Sequence, residues 1–399
     1  MLLIFFFMCE IINTCKTVFY ERGVCDLKTY FVDSLSGYPE NDGLTEATPI
    51  DTYKNIDIKP GDKILFRRGT SYRDGIHFAG FDGEAVVFGA YGNGEAPKFF
   101  GSINRSEPYL WGKTERDSVW RLLIPLKSTA GNIIFDFGDH CGIRAHGMEC
   151  LDAQGKWYSE ENEGSSSFYL YSTENPGDYY IDIEIALQGV GCVISAEKNT
   201  VFENLTVFGS GMHGFSAKQA ENVKIDDCRF EFIGGCTYET APDIRCGNAV
   251  DFDSGCESCS VENSYFYNIY DSCISVKTEE DDEMPKKLSF VGNSFNKYGM
   301  TALELRGKIG DGVLFELNEC VNAGRGFSLG GEKPPRLSVA SPLEIGHHVF
   351  VWRAVESVKG SVIIRRNVFR GKTVGEDVCI NTNDNGILSS IVVENNEIQ

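Results

Sequence analysis

The sequence SVENSYF, at residues 260–266, has counterparts throughout the second half of the chain. Each copy combines residues that are common in β-strands with an Asn or Asp and then an aromatic or aliphatic residue. Successive Asn or Asp positions lie 23 to 49 residues apart, which is typical of a solenoid with loops of variable length. The seven copies are FENLTVF (202–208), VKIDDCRF (223–230), SVENSYF (260–266), SFVGNSF (289–295), LFELNECV (314–321), VIIRRNVF (362–369) and IVVENNEI (391–398).

The copies are rich in Val, Ile, Phe and Thr and lack helical periodicity, so we expect strands. If each copy is one coil, every strand stacks in parallel on its counterpart in the next coil, which makes an all-β parallel β-helix. We expect the recurring residue at a turn, because Asn tolerates left-handed backbone and its amide can bond to the copies above and below. We assign a purely structural role to Asn204, Asp227, Asn263, Asn293, Asn318, Asn367 and Asn395.

The chain resembles the right-handed parallel β-helix proteins of the pectin-lyase-like superfamily, most of which act on carbohydrates. Residues 30–76 are similar to the common opening of these proteins. They hold a Val-Asp pair at 32–33, an Asn-Asp-Gly loop at 41–43, and Pro-Gly-Asp at 60–62 before a strand that ends in Arg-Gly-Thr. The resemblance covers this opening and the repeats from about residue 190. It implies a right-handed parallel β-helix and a carbohydrate ligand, and it leaves the reaction open.

The sequence predicts four segments. Residues 1–16 begin with the apolar run MLLIFFFM, which is too short to span a bilayer, so we expect a signal peptide and a secreted or extracytoplasmic protein with no membrane attachment after its removal. Residues 17–104 are expected to form the first coils, 105–189 an inserted β-rich module, and 190–399 the main coils. Because the last residues stop in mid-repeat without a polar cap, we expect the chain to continue or a partner to cover this end.

The net charge narrows the class of partner. The chain has 58 acidic and 37 basic residues, for a formal charge of −21. Nucleic-acid-binding proteins usually carry a basic face, so we expect no nucleic-acid partner. A neutral or an anionic carbohydrate remains compatible with this charge.

Fourteen cysteines are spread along the chain. Cys256 and Cys259, with Cys236 and Cys246 upstream, have a spacing that can bind zinc. No histidine or second tight pair of cysteines accompanies them, so we favour buried thiols with one or two disulfides and assign no metal site.

Five segments that follow the repeated turns can be aligned as strands of successive coils: GFSAK (214–218), AVDFD (249–253), CISVK (273–277), ALELR (302–306) and GFSLG (326–330). The second and fourth residues of each are apolar, so alternation directs them inward and the other three outward. The first outward position holds only Gly, Ala or Cys, which predicts the open floor of a cleft. The next position reads Ser216, Asp251, Ser275, Glu304, Ser328, and the last reads Lys218, Asp253, Lys277, Arg306, Gly330.

Carboxylates on this face are the candidate catalytic groups: Asp251, Asp253 and Glu304. Neighbouring strands are about 4.8 Å apart, so Asp251 and Glu304 should lie about 9.6 Å apart at the backbone, near the carboxyl separation of inverting glycosidases. Side chains can change this gap by a few ångströms, so the shorter separation of retaining glycosidases stays open. We expect Lys218 and Lys277 to keep Asp253 ionised, whereas Asp251 or Glu304, beside serines, is better placed to hold a proton.

Further residues near this face are candidate substrate contacts: Lys218, Asp271, Lys277, Arg306, His213 and His348. We expect the histidines to donate hydrogen bonds to sugar hydroxyls. The acidic loop at 279–283 lacks the ligand spacing of a calcium site, so we interpret it as solvated.

Three functions are compatible with this pattern. The first is a glycoside hydrolase that uses a carboxylate pair. The second is a polysaccharide lyase or uronate epimerase, in which Lys277 or Arg306 supplies the base and calcium binds the acids. The third is a non-catalytic solenoid that holds glycan, in which Asp253–Lys277 and Glu304–Arg306 are only a ladder of ion pairs.

Overall fold

The computed structural model describes residues 27–238, 241–279, 282–327, 346–352, 362–371, 380–382 and 391–399. Within these residues the chain winds into coils that place one strand in each of three parallel sheets. The first sheet contains Thr29–Val32, Lys63–Arg67, Val86–Tyr91, Lys198–Glu203, Glu221–Asp226, Ser260–Glu262, Ser289–Val291, Val313–Glu316, Val362–Arg365 and Ile391–Glu394. The second sheet contains Ser71–Tyr72, Lys98–Phe100, Thr206–Phe208, Arg229–Glu231, Tyr265–Ile269, Ser294–Tyr298, Glu319–Ala323, Val368–Arg370 and Glu397–Ile398. The third sheet contains Ile76–Phe78, Cys192–Ala196, His213–Ala217, Val250–Phe252, Ser272–Lys277, Thr301–Arg306, His347–Trp352 and Ile380–Thr382. The predicted right-handed parallel β-helix is confirmed.

Two segments interrupt the coils at the turn from the second sheet to the third. The larger segment forms two antiparallel-rich sheets. They are built from Ser102–Asn104, Ala130–Phe135, His140–Cys141 and Ile183–Leu187, and from Trp111–Lys113, Val119–Leu122, Ile143–Arg144, Lys156–Asn162 and Ser165–Tyr171. The smaller segment is a hairpin of Cys236–Tyr238 and Ala241–Cys246. One short α-helix, Pro176–Tyr179, lies in the larger segment, and short 3₁₀ turns are formed by Tyr53–Asn55, Pro108–Leu110, Asp136–Gly138, Met148–Cys150 and Gln188–Val190.

The core of the coils is made of aromatic and branched side chains that stack on their counterparts. Phe230, Phe266 and Phe295 form one such column, with ring centroids 5.2 Å and 4.8 Å apart. This spacing matches the distance of about 4.8 Å between neighbouring strands, so each coil repeats the contacts of the last. In the inserted segment, Trp111, Trp120 and Trp157 are buried in a separate core and do not form an exposed sugar platform.

The turn between the first and second sheets uses two adjacent residues where the sequence predicted one. The first residue adopts the left-handed conformation, as at Asn263, Leu317 and Asn395. The next residue carries the amide ladder: the Asn318 side chain donates to Asn367 Oδ1 at 3.0 Å and accepts from Asn293 Nδ2 at 3.1 Å. The prediction that one residue does both was therefore wrong, because the backbone strain and the buried amide fall on neighbouring positions.

In the part of the chain that the structure describes, no helix is long and apolar enough to cross a membrane.

We expect N318A to lower the free energy of unfolding by about 1–3 kcal/mol, because it leaves the buried Asn293 backbone N–H without its acceptor and removes one of the two acceptors of the Asn293 side-chain amide. Urea denaturation followed by circular dichroism measures this. N162A, which removes an exposed asparagine, is the control and should change stability by less than about 0.5 kcal/mol. Equal effects of the two substitutions would contradict a structural ladder.

Candidate functional site

The outward face of the third sheet carries the candidate site. Its register aligns Ser216 with Asp251, Asp251 with Ser275, and Ser275 with Glu304, as predicted. The predicted inward side chains, such as Val250 and Phe252, are buried in the core. The row of Asp251, Ser275 and Glu304 therefore spans two strand spacings, or about 9.6 Å at the backbone.

The residues predicted to form an open floor lie in the core. Ala249, Cys273 and Ala302 are fully buried among core side chains, and a Cβ on Gly214 would lie 2.7 Å from Phe230. The prediction was wrong because two successive residues point inward where the chain turns into the third sheet. Alternation therefore fails at this corner.

A row of polar residues that the alignment left out precedes these small residues. Asn248 and Ser272 lie here, and Thr301 and His347 continue the row in the parallel register. The side chains of Asn248 and Ser272 lie on the same side as the carboxylates, because they bond to Asp251 and Glu304. The available signal was a polar residue three positions before the central residue of the strands, namely His213, Asn248, Ser272 and Thr301.

Asp251 is held at both of its oxygens. Asn248 Nδ2 donates to Oδ1 at 3.0 Å, and Lys277 Nζ lies 2.8 Å from Oδ2. The Asp251 side chain is only 2% exposed and that of Lys277 is 17% exposed. This is a buried ion pair with fixed geometry.

The electrostatics of Asp251 favour its ionised form. Burial by itself would raise the pKa of this carboxyl, but the Lys277 ammonium, with smaller contributions from His213 and the Asn248 amide, outweighs burial and lowers the pKa to about 2. In return, Asp251 raises the pKa of Lys277 against the effect of burial. The expectation that Asp251 could hold the proton was therefore wrong, because the cation contacts Asp251 more closely than its neighbour.

Asp253 and Lys218 differ from their predicted roles. Lys277 Nζ is 3.7 Å from Asp253 Oδ2, farther than from Asp251, and the backbone and hydroxyl of Ser254 donate to the other Asp253 oxygen. Lys218 pairs with Asp282 at 2.8 Å, so it does not flank Asp253 as a direct partner. Asp253 is thus a peripheral carboxylate at the edge of the buried pair.

Glu304 joins the same hydrogen-bond network as Asp251. Ser272 Oγ donates to Glu304 Oε2 at 3.1 Å, and the Ser272 backbone N–H donates to Asn248 Oδ1 at 3.2 Å. Asn248 in turn bonds to Asp251, so two residues connect the two carboxylates. Glu304 is 4% exposed.

The two predicted histidines, His213 and His348, lie in different surroundings. His213 is buried beside Asp251, and its Nδ1 accepts the Asn248 backbone N–H at 3.1 Å, which places the ring proton on Nε2. Burial lowers the pKa of His213 despite the nearby Asp251 charge, so the ring is neutral at pH 7.

His348 is directed into the core and is not a substrate contact. Its ring stacks on Phe369 at 5.2 Å and bonds to the Tyr298 hydroxyl, and burial lowers its pKa to about 4. The same corner that buries the small residues turns His348 inward. Its neighbour His347 takes the position on the polar row, opposite Thr301.

The remaining predicted contacts lie at the margins. Asp271 is buried in the turn just before Ser272, and Arg306 lies opposite Lys277 with Glu279 at 3.7 Å. The alignment of the fifth segment, residues 326–330, as the next strand of this sheet was wrong. The strand that pairs with Thr301–Arg306 is His347–Trp352. Ser328 and Gly330 lie outside the described residues.

The described residues include no group of three or more His, Cys, Asp or Glu side chains arranged for a metal ion. Between Asp251 and Asp253 the cation is the Lys277 ammonium, which occupies the position that the lyase hypothesis gave to calcium. The thiols of Cys256 and Cys259 each donate to a backbone carbonyl, so the zinc interpretation has no support in their contacts.

A second acidic pair lies against the second sheet, in a cleft of about 280 Å³ beside the inserted segment. Arg73 forms a bidentate pair with Glu184, at 2.6 Å and 2.7 Å, and Ser102 also donates to that carboxylate. Burial and the charge of Glu184 raise the pKa of Asp182. Because Glu184 already has partners on both oxygens, this pair is better suited to joining the inserted segment to the coils.

The chain is similar in structure to XylC in complex with xylose, with a TM-score of 0.57 and 11% identity over 86% of this chain and 67% of that one. It is also similar to a protein described as a glycoside hydrolase, with a TM-score of 0.51 and 9% identity over 93% of this chain and 96% of that one. No family model and no curated protein matches the chain. At these identities the similarity establishes the fold, and the reaction must be argued from the site.

We expect K277M to destabilise the protein by about 3–5 kcal/mol, because it leaves the buried Asp251 charge without its cation. D251N/K277M should recover part of this loss, since it removes both charges, and urea denaturation of the two variants and D251N measures the coupling. K218M is the control, because its ion pair with Asp282 is exposed, and should change little. Additive effects of D251N and K277M would contradict a coupled buried pair.

Proposed function

We propose that the chain is an enzyme that hydrolyses the glycosidic bonds of an oligosaccharide or polysaccharide, with Asp251 and Glu304 on either side of the bond. The observation that carries this proposal is the network Asp251–Asn248–Ser272–Glu304, with Asp251 held ionised by Lys277. Glycoside hydrolysis needs two carboxyl groups in different protonation states on one face. The third sheet supplies two carboxyl groups, and the environment of one fixes its charge.

The proposed roles follow from the charge of Asp251. A carboxylate whose pKa is about 2 cannot deliver a proton near neutral pH, so Glu304 protonates the glycosidic oxygen. Asp251 accepts a proton from the water that attacks the anomeric carbon. Each Asp251 oxygen already accepts one hydrogen bond and keeps a second lone pair for that water.

The strand spacing is compatible with inversion at the anomeric carbon. Asp251 and Glu304 lie two strand spacings apart, or about 9.6 Å at the backbone, which leaves room for carboxyl groups separated by about 6.5–9.5 Å, as in inverting enzymes. A water molecule fits between the sugar and Asp251 only in the wider arrangement. We therefore propose a single displacement with no glycosyl-enzyme intermediate.

The lyase hypothesis needs an unprotonated base next to a sugar carboxylate. Asp251 raises the pKa of Lys277, which keeps this residue protonated, and arginine does not deprotonate in proteins. Neither Lys277 nor Arg306 is thus suited to remove a proton. This supports hydrolysis over elimination.

For the substrate, the structural similarity to XylC in complex with xylose makes xylo-oligosaccharides the first choice for testing. Polygalacturonan is the acidic comparison. We also propose that the protein is secreted or extracytoplasmic, on the strength of the apolar run at residues 1–8, which lie outside the described part of the chain. N-terminal sequencing of the exported protein tests cleavage near residue 16.

We expect D251N and E304Q each to lower kcat by about 100- to 10,000-fold, because each removes one of the two proton-transfer groups. Reducing-sugar release from xylan and polygalacturonan measures this, and N162A, at an exposed position of the inserted segment, is the control that should retain activity. Full hydrolysis by both carboxyl variants would contradict the proposal. An unsaturated product absorbing at about 235 nm would indicate a lyase.

We expect the acid limb of the pH–activity profile to lie well below pH 4 in the wild type and to rise by about one pH unit or more in K277M. Without Lys277, burial would raise the pKa of Asp251 with no opposing ammonium.

The lowered pKa of Asp251 also affects the pH dependence of stability. Because the folded pKa is below the unfolded value of about 3.9, the contribution of Asp251 is present above pH 4 and is lost between about pH 4 and pH 2. An unchanged acid limb in K277M would show that Asp251 does not control activity.

A further inference from the structure

The hairpin of Cys236–Tyr238 and Ala241–Cys246 contacts the inserted segment and leads directly into the strand that carries Asp251. It replaces the turn before Val250–Phe252, and its last residue is two positions from Asn248. Gln188 and Arg144, from the inserted segment, bond to Thr237 in the hairpin. The base of this hairpin thus lies between the inserted segment and the hydrogen bonds of Asp251.

Two cysteines face each other at this base. Cys236 and Cys246 are direct partners in the antiparallel register, and their sulfur atoms are 3.4 Å apart. A disulfide bond is about 2.05 Å long, so the sulfurs need to approach by only about 1.4 Å. Directly opposite residues of an antiparallel pair have Cβ atoms about 4.5–5.5 Å apart, so they need only a small approach to reach the distance of about 3.5–4.5 Å in a disulfide.

The surroundings of Cys236 favour its reactive form. The Cys246 side chain lowers the pKa of the Cys236 thiol against the effect of burial, and Arg245 lowers it further. Arg245 is fixed beside the pair, since its Nε donates to Gly235 O at 2.8 Å and its Nη2 to Gly131 O at 2.8 Å. A thiolate is the attacking species in disulfide formation, so this position is suited to oxidation.

Other cysteines of the coils have the opposite environment. Burial raises the pKa of Cys256 to about 12 and of Cys259 to about 11, and both thiols donate to backbone carbonyls. Burial likewise raises the pKa of Cys228 to about 12. These thiols are therefore poor nucleophiles at neutral pH and serve as internal controls.

We propose that Cys236 and Cys246 form a disulfide bond that closes the base of the hairpin leading into Asn248. Cys246 is partly exposed and Cys236 is buried, so the Cys246 thiolate attacks the sulfur of a disulfide oxidant such as glutathione disulfide and displaces one thiolate. Cys236 then attacks the Cys246 sulfur of the mixed disulfide and releases the second thiolate. The two cysteines lose two protons and two electrons, and the oxidant is reduced to two thiols.

The disulfide bond restricts the conformations of the hairpin at residues 236–246, which precedes Asn248. Gly234, Gly235 and Gly247 flank the hairpin with positive φ, at 102°, 98° and 135°, and such glycines leave an unfolded chain many alternative conformations. A covalent link across 236 and 246 removes many of them. The bond forms whatever reaction Asp251 supports, so its test is separate from the test of hydrolysis.

The test treats the full chain with glutathione disulfide, unfolds it in an alkylating reagent, and maps the peptides without reduction. We expect one crosslinked pair, Cys236–Cys246, lighter by two hydrogen atoms than the two thiol peptides, while Cys256 and Cys259 carry the alkyl label. Alkylation of Cys236 and Cys246 to the same extent as Cys256, or a crosslink of either to another cysteine, would overturn the proposal.

Thermal unfolding provides a second readout on the oxidised protein. Reductant should lower the Tm of the wild type by several degrees and should leave that of C236S/C246S unchanged, because only the wild type has the crosslink to lose. An equal response of the two proteins to reductant would contradict the proposed bond, even if the double variant is less stable from the start.

Discussion

Each coil of this protein must return its strands to a position one strand spacing, about 4.8 Å, from the previous coil. The turn between the first and second sheets enforces this return. A left-handed residue reverses the chain, and the next residue bonds to its counterparts, as Asn318 does to Asn293 and Asn367. Since every strand is then in register with its neighbours, equivalent residues form straight rows. The candidate site is one of these rows.

Regular stacking of the strands places charged side chains close together on one face, where like charges repel and burial removes their hydration. Asp251 and Asp253 share Lys277, and the first of these contacts is nearly inaccessible to solvent. Buried ion pairs contribute little net stability on average, and strongly shifted pKa values concentrate at functional sites. Asn248 and Ser272 support the proposed site further, because they bond to the two carboxyl groups within one continuous network.

The sequence predicted the coils, the register and the inward residues because stacked repeats expose them as aligned columns. Ser216, Asp251, Ser275 and Glu304 occupy the predicted row for this reason. The corner before each third-sheet strand was mispredicted, because alternation fails where two successive residues point inward.

That one local irregularity accounts for the largest errors at the site. It buried Ala249 and Cys273, turned His348 into the core, and hid Asn248 and Ser272 from the alignment. Which aspartate Lys277 contacts more closely was also beyond reach, because both lie within the length of one lysine side chain.

We propose that a sugar chain binds over the row between Asp251 and Glu304. The most direct measurement is the crystal structure of E304Q with a xylo-oligosaccharide or, if that is not a ligand, a galacturonate oligomer. We expect a glycosidic oxygen next to residue 304 and a water molecule between Asp251 and the anomeric carbon, above Ser275. A sugar bound only at another surface, such as the cleft lined by Asp182 and Phe137, would contradict it.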